Sequence, residues 1–599
     1  MLWAMPLWCQ DEPHAPSGPS ARPFDSLMGN LGEVVIGKKP ELITPVDVRK
    51  ALTVPALDVG KRLLTAQEAG LREGHTPAIG MLNAAALRAI PHDCPGIKLD
   101  KMYYVYIPRG GTKDLRKQYL ALDHDFVLDG EVEGKAVGGL RTNQRLFYTE
   151  HSLNLRRVRI VVEESGGSFA FHINTARGIG QLQVTGCVFE GLGKRKGNTF
   201  RLESSDDNPL SDNGTPTAGN SIGHILFDGN THQGKSLVQS GALRVTHSCR
   251  FIGNTLYDVT GMGICLSTDN TRRYAGWMAY LSCPVWIVGN TFEGVDGVMR
   301  KRSKWTHYYC AVLVESCRLY MLHNTIRDFV SGKTLYTNAK GEEITGYCPT
   351  YDLYANVTQL YYCHNHVTNV LRFTHERTNF GIIKAKGCCV PQAFARSHPP
   401  VTRYYLDNVY DIDRGKASRI WKSRSYPDDG GDYGLEKAYD QSLIPDEYLT
   451  LNFSGYAAKT PIDTLVFSGN TLHVPNIGGM LNSSQLRCAH FRCENNTFDA
   501  RHITSEEYHS RHREEKMTSN KEWLFAVRGA GDTPSIHITG NRFATPRQAI
   551  RLMLYKYNDG QPPRARQTIV ESNAVPSSSR LVLKSLNSSK WSFSSYPLQ

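Results

Sequence analysis

IHITGNRF (536–543) alternates apolar with polar residues, turns at Gly-Asn, and returns to an apolar ring at Phe543. Period-two alternation is what a strand with one buried face requires. The phrase recurs as ILFDGNT (225–231), RFIGNTL (250–256), VWIVGNTF (285–292), LYMLHNTI (319–326), LYYCHNHV (360–367), RYYLDNVY (403–410), LVFSGNTL (465–472), HFRCENNTF (490–498) and IVESNAV (569–575). A degenerate copy, LQVTGCVFEG, lies at 182–191. The asparagines Asn230, Asn254, Asn290, Asn324, Asn365, Asn408, Asn470, Asn496, Asn541 and Asn573 are 24, 36, 34, 41, 43, 62, 26, 45 and 32 residues apart. The short intervals approach one turn of a parallel β-solenoid, and the long ones add loops to the same turn. Asparagine tolerates the left-handed backbone of a tight turn, and its amide predicts a ladder of bonds between stacked copies. One coil alone leaves its apolar face in water, so stability must come from stacking.

This pattern resembles the right-handed parallel β-helix of the pectin-lyase-like superfamily, over roughly residues 100–595. The resemblance implies an all-β fold: a single solenoid with an N-terminal capping helix and long loop insertions walling a groove. TPAIGMLNAAALRAI (76–90) fits the amphipathic helix that caps such a first coil, and KMYYVYIPRGG (101–111) fits the segment that opens it. The motifs specify architecture rather than reaction, and no catalytic residue is carried over from any family.

Composition bounds the rest. In 599 residues, 69 Lys and Arg exceed 57 Asp and Glu for a net charge of +12, which suits an anionic partner without calling for nucleic acid. No apolar stretch is long enough to span a bilayer. Fourteen cysteines include no CxxC pair, and Cys187, Cys249, Cys265, Cys283, Cys310, Cys317 and Cys363 sit in apolar surroundings, so they read as buried thiols. The apolar start of the chain lacks a basic lead, and the expected setting is secreted or periplasmic.

Residues 1–35 read as a flexible lead, and 36–100 as a mixed region with a helix at 61–73 before the capping helix. Coils are expected over 101–575, with insertions near 193–220, 331–350, 410–460 and 499–523, and a C-terminal cap at 576–599. Loops of that length on a rigid solenoid are where function is expected.

Outward side chains of successive coils stand in rows about 4.8 Å apart. Aligning the strands before each Asn pairs Val312 and Val314 with Leu353 and Ala355 on the core side. Ala311, Leu313 and Glu315 then face out beside Asp352, Tyr354 and Asn356, with Lys384 and Lys386 on the next coil and Ser267 and Asp269 one coil earlier. Arg244 and His247 extend the face. Loops add Arg272, Arg273, Arg300, Lys301, Arg302, Lys304, Trp305 and His307, then His375, Glu376 and Arg377.

Two chemistries fit this patch. In β-elimination a base removes the proton α to a uronate carboxylate while a cation neutralises that carboxylate. Lys384, Lys386 and Arg377 suit those roles, with Tyr354 or His375 returning a proton. Hydrolysis instead needs two carboxyls about 5–9.5 Å apart, for which Glu315 with Asp352 or Asp269 are candidates. Asn356, Asp269, Arg272, Arg273, Arg302, Trp305 and His307 would bind the glycan, Trp305 by stacking on a sugar ring. His364 and His366 read as turn residues. No cofactor is expected, and a groove calcium on Glu315 or Asn356 is the alternative to a metal-free site. The expected function is therefore cleavage of an acidic, uronate-containing polysaccharide by a monomeric lyase. The rivals are a glycoside hydrolase and a non-catalytic glycan-binding β-helix such as an adhesin or phage spike.

Overall fold

The computed structural model describes residues 36–599 except 56, 58–61, 109–114, 164–168, 192–197, 204–220, 241–242, 267–282, 295–298, 302–308, 330–332, 338–342, 348–349, 371–374, 377–401, 412–451, 454–461, 474–487, 500–524, 528–534, 545–550, 557–566, 575–579, 588–589 and 598–599. Strands dominate it, in a 23-stranded and a 13-stranded sheet whose ladders run parallel throughout. The smaller sheet begins at Met102–Val105 and collects the short strand after each turn Asn. The larger sheet carries two columns of register. One holds the strands that precede each Asn, from Phe126–Asp129 through Leu153–Arg156, Ile179–Thr185 and Ser221–Asp228 onward. The other runs Leu120–Leu122, Phe147–Thr149, Phe169–Asn174, Asn198–Glu203, Ser236–Ser240 and Met262–Leu266. Tyr309–Leu322 and Thr350–Cys363 are each long enough to serve both columns, which merges them into one sheet.

Inside, like residues stack on like. Phe126, Phe147, Phe171, Phe200, Phe227 and Phe251 follow one another at ring separations of 6.3, 6.0, 4.7, 5.2 and 5.1 Å. The asparagines form the expected ladder. Every Asn from Asn230 to Asn541 donates its backbone N–H and its Nδ2 to Oδ1 of the next, at 2.8–3.1 Å. Cys187 takes the equivalent place in the degenerate copy, its N–H reaching Asn230 Oδ1 at 2.8 Å.

The conformational role expected of asparagine belongs to its predecessor. Positive φ falls on Gly229, Gly253 and Gly289, and at non-glycine corners on His323 (55°), His364 (55°), Asp407 (53°), Asn495 (56°) and Ser572 (57°). The corner residue makes the left-handed turn, which leaves the Asn side chain inward and free to bond along the stack.

Pro77–Arg88 is the expected capping helix. Thr76 caps its N-terminus, and its inner face (Gly80, Asn83, Ala84, Leu87) meets the first strands, with Asn83 Nδ2 donating to the Tyr104 carbonyl at 2.8 Å. The helix expected at 61–73 is not formed. Leu64–Thr65 pairs with Gly96–Lys98, and a single turn follows, held by Thr65 and Glu68 and ended by Gly70 at φ 77°. The supposed insertion 193–220 contains the strand Asn198–Glu203, whose Phe200 is core; 331–350 contains a hairpin, Lys333–Thr337 with Glu343–Tyr347. Arg580–Asn587 and Lys590–Pro597 pair antiparallel within a four-stranded sheet. The lead 1–35 and the loop 500–523 lie outside the described residues, as does most of 412–460.

Before the first coil, Ile36–Leu52 lies across the outside of the Asn-preceding column. Arg49 binds Asp228 at 2.8 Å, the Ile43 carbonyl meets His323 Nε2 at 3.0 Å, and the Glu41 carbonyl meets His364 Nε2 at 2.7 Å. Ile43 and Val48 cover Trp286 and Tyr320, which begin an outward stack with Tyr361 and Tyr404 at 3.8, 4.9 and 5.1 Å. This strap staples successive coils that are far apart in sequence. Cys94, Cys187, Cys249, Cys265, Cys283, Cys310, Cys363 and Cys493 are buried, and burial pushes the Cys187 and Cys249 thiols up to about 12.

Candidate functional site

The outward row of the column that begins at Leu120–Leu122 can be read residue by residue: Tyr148, His172, Arg201, Gln239, Cys265, Leu313 and Tyr354, each in register with the next, with His375 following in backbone register. At roughly 4.8 Å per rung, the five steps from His172 to Tyr354 span about 24 Å. The expected register is present, with Val312 and Val314 opposite Leu353 and Ala355 and all four in the core. Glu315 pairs with Asn356, and Tyr354 with His375.

Side-chain orientation departs from expectation at two places. Asp352 is fully buried rather than outward, bonded to the Tyr362 hydroxyl at 2.6 Å and the Leu353 N–H at 2.7 Å. The register is unbroken there, from Cys310↔Tyr351 to Val312↔Leu353, but Ala311 turns into the core together with Val312, and Asp352 does the same beside Leu353. The inward Tyr362 hydroxyl needs an acceptor once buried, and Asp352 supplies it. Leu313 and Tyr354 do lie on the outer side, but packed with Met262, Cys265 and Cys310 as a separate buried apolar cluster. Asp352 is thus removed from the carboxylate pair, and the middle of the face is apolar.

Lys384, Lys386, Arg377, Asp269, Arg272, Arg273, Arg302, Trp305 and His307 lie outside the described residues. Arg300 and Lys301, expected in a solvated loop, belong to the strand Met299–Lys301, parallel to Lys333–Thr337. His364 is a turn residue as expected, whereas His366 opens the strand His366–Thr368 and faces Asp411 at 2.9 Å.

The same face carries a polar cluster at its N-terminal coils that the sequence pattern did not single out. The Tyr148 hydroxyl donates to Glu150 Oε1 at 2.7 Å and accepts from Asn174 Nδ2 at 2.8 Å. Arg177 Nε lies 3.2 Å from the other Glu150 oxygen, and Asn174 is itself set by the Ala176 N–H at 3.0 Å. The His172 ring stacks on Tyr148 at 5.4 Å and meets Tyr119 edge-on at 5.9 Å. Arg145 lies over the Tyr119 ring at 5.5 Å and bonds Gln118, while Arg201, one rung from His172, lies over Phe169 at 5.7 Å. Tyr148, His172 and Asn174 are buried, whereas the Arg177 side chain is 71% exposed at the rim. The arrangement sets a phenol and one guanidinium, Arg177, against the Glu150 carboxylate, with the His172 imidazole stacked on the phenol and Arg145 and Arg201 over the neighbouring rings of Tyr119 and Phe169. Its signal in the sequence was the period-two set Phe147-Tyr148-Thr149 and Phe171-His172-Ile173, a polar aromatic between two core residues on adjacent rungs.

No family model, curated protein or solved structure matches the chain.

Proposed function

We propose that the chain is a single right-handed parallel β-helix acting on an acidic polysaccharide outside the cytoplasm, and that it cleaves uronate linkages by β-elimination on the face that carries Tyr148 and His172. The observation that carries this reading is the Tyr148–Glu150–His172 cluster with Arg145, Arg177 and Arg201 around it. Arg145, Arg177 and Arg201 on one stretch of this face favour a ligand that carries negative charge. Right-handedness follows the rule for crossovers between parallel strands of one sheet.

In the proposed step His172 takes the proton at C5, α to the uronate carboxylate. The C–H pair becomes the C4=C5 double bond, and the C4–O4 bond breaks with its electrons on O4. Tyr148 gives its proton to O4, and the proton held by His172 returns to the phenol through solvent. An arginine on the substrate carboxylate stabilises the carbanionic character at C5, where charge develops. Glu150 and Asn174 hold the Tyr148 hydroxyl in place.

Hydrolysis has less support, because Asp352 lies in the core and Glu315 stands beside Asn356 rather than a second carboxylate. The test is incubation with uronate-containing and neutral glycans, reading the ultraviolet absorbance of the unsaturated uronate and, separately, new reducing ends. Both signals together on uronate glycans support elimination. Reducing ends alone would mean hydrolysis, and neither signal with retained glycan binding would mean a binding module.

A further inference from the structure

Another cluster of ligating side chains sits on a different part of the molecule, at the exit of the capping helix. His92 lies between Pro77–Arg88 and the strand Gly96–Lys98, and Asp123 and His124 lie between Leu120–Leu122 and Phe126–Asp129. His92 Nδ1 is 2.5 Å from one Asp123 carboxylate oxygen, and His124 Nδ1 is 3.0 Å from the other. One ligating atom from each residue falls within 4.8 Å of both others. Four-coordinate zinc with bonds of about 2.0–2.1 Å holds its ligand atoms about 3.3 Å apart, so a small closure suffices.

The orientation of His124 adds an independent argument. Its Nε2 meets the Cys94 backbone carbonyl at 2.8 Å, so Nε2 carries the proton. In the neutral ring Nδ1 is then a lone pair, and it faces an Asp123 oxygen that is also an acceptor. Two acceptors at that distance require a cation or a second proton between them. Fixing one ring nitrogen on a carbonyl while presenting the other is how a metal-ligating imidazole is oriented. A second carboxylate between two imidazoles occurs at Asp411, with His366 at 2.9 Å and His473 at 3.0 Å. Among the described residues, the His92 group is the one whose three ligating atoms converge.

We propose that His92, Asp123 and His124 bind a borderline divalent cation of the zinc class, with water completing the shell, and that the ion clasps the capping-helix exit to the first coil. Two imidazoles and a carboxylate select zinc or cobalt over magnesium or calcium, which prefer all-oxygen shells. The 83% exposure of the His92 side chain leaves room for the water ligand.

The experiment uses the full chain stripped with chelator and titrated with Co2+, then with Zn2+ in competition. The expected result is one equivalent of Co2+ with the visible absorption of a four-coordinate complex, displaced by Zn2+. A rise in melting temperature with Zn2+ but not Mg2+ should accompany it. His92→Ala removes an exposed ligand, so its metal-free melting temperature should match the parent while the Co2+ spectrum and the zinc-induced rise disappear. Asp123→Asn should weaken both. Absence of the four-coordinate spectrum, or its persistence at full strength in His92→Ala, overturns the proposal.

Discussion

Asn324 and Asn365 are joined twice across one rung: the backbone N–H and the Nδ2 of Asn324 both reach Asn365 Oδ1, at 3.0 and 2.9 Å. Asn324 Oδ1 in turn receives both N–H groups of Asn290, and its Nδ2 also reaches the Ile287 carbonyl. All three residues are 1% exposed. Replacing Asn324 with Ala leaves the Asn290 backbone N–H without its acceptor and the Ile287 carbonyl without the Asn324 Nδ2 donor, while Asn290 Nδ2 keeps the Phe251 carbonyl. Each unsatisfied buried group costs about 1–3 kcal/mol, so the variant should lose roughly 2–4 kcal/mol. Asn573→Ala, at the half-buried end of the ladder, should lose less than about 1 kcal/mol because water can replace the bond. Urea midpoints of the two variants give the comparison, and equal losses would mean that the ladder is not a continuous internal structure.

The strap should detach on a single methyl. Gly289 turns at φ 66°, and a Cβ there would lie 2.7 Å from Pro45 Cγ. Gly289→Ala therefore strains its own turn and pushes the strap off Trp286 and Tyr320. Hydrogen exchange should accelerate in residues 285–288 and 319–322 while that of Phe126–Asp129 stays as it was. Arg49→Ala should change stability by no more than about 1 kcal/mol, since its pair with Asp228 is solvent-facing. Uniform exchange in Gly289→Ala would show that the strap adds nothing to those coils.

Much of this fold was legible because a β-solenoid repeats its instructions. Each copy of IHITGNRF fixes which residues point inward, and the offset from Asn gave the pairing of Val312 with Leu353 correctly. The limits are equally physical. Period-two logic fails where two consecutive residues turn inward, as at Ala311 with Val312 and Asp352 with Leu353, and that places Asp352 on the inner side rather than the outer. It also treats every outward position alike, so it could not tell that Leu313 and Tyr354 are covered while Tyr148 and His172 gather arginines. The strap is not legible in the sequence because nothing at Ile43 or Arg49 encodes contact with His323 or Asp228, which lie far along the chain.

Acid should weaken the chain through His224. Burial, then the neighbouring His247 and Arg250, lowers its pKa from 6.5 to about 4. The unfolded chain therefore binds this proton near pH 6.5, whereas the folded chain resists it down to about 4. Its contribution is fully present above the unfolded value and is lost as pH falls through that window. His323 is lowered in the same direction by burial and by His364 stacked upon it at 4.9 Å. Melting temperatures taken between neutral pH and pH about 4.5 should fall for the parent and fall less steeply for His224→Gln. An unchanged slope would place the acid sensitivity elsewhere.

The final prediction separates a structural carboxylate from a functional phenol. Asp352 and Tyr362 are both fully buried and share a 2.6 Å bond. Burial, together with the Asp352 charge, pushes the Tyr362 hydroxyl well above its ordinary value, so it stays a donor at any working pH. Tyr362→Phe takes that donor from a buried acid and should cost about 1–3 kcal/mol. In a double-mutant cycle with Asp352→Asn, the two changes should be coupled by about 0.5–3 kcal/mol rather than additive. Any lost activity in Asp352→Asn should then track the folded fraction, with kcat per folded molecule unchanged. Tyr148→Phe should behave in the opposite way. It leaves the ring stacked on His172 and the fold intact, but removes the proton donor, so kcat should drop by about 10²–10⁴ with little change in melting temperature. If Asp352→Asn instead lowered kcat in a fully folded protein, the chemistry would belong to the later coils. The arginine cluster around Tyr148 would then be a binding subsite alone.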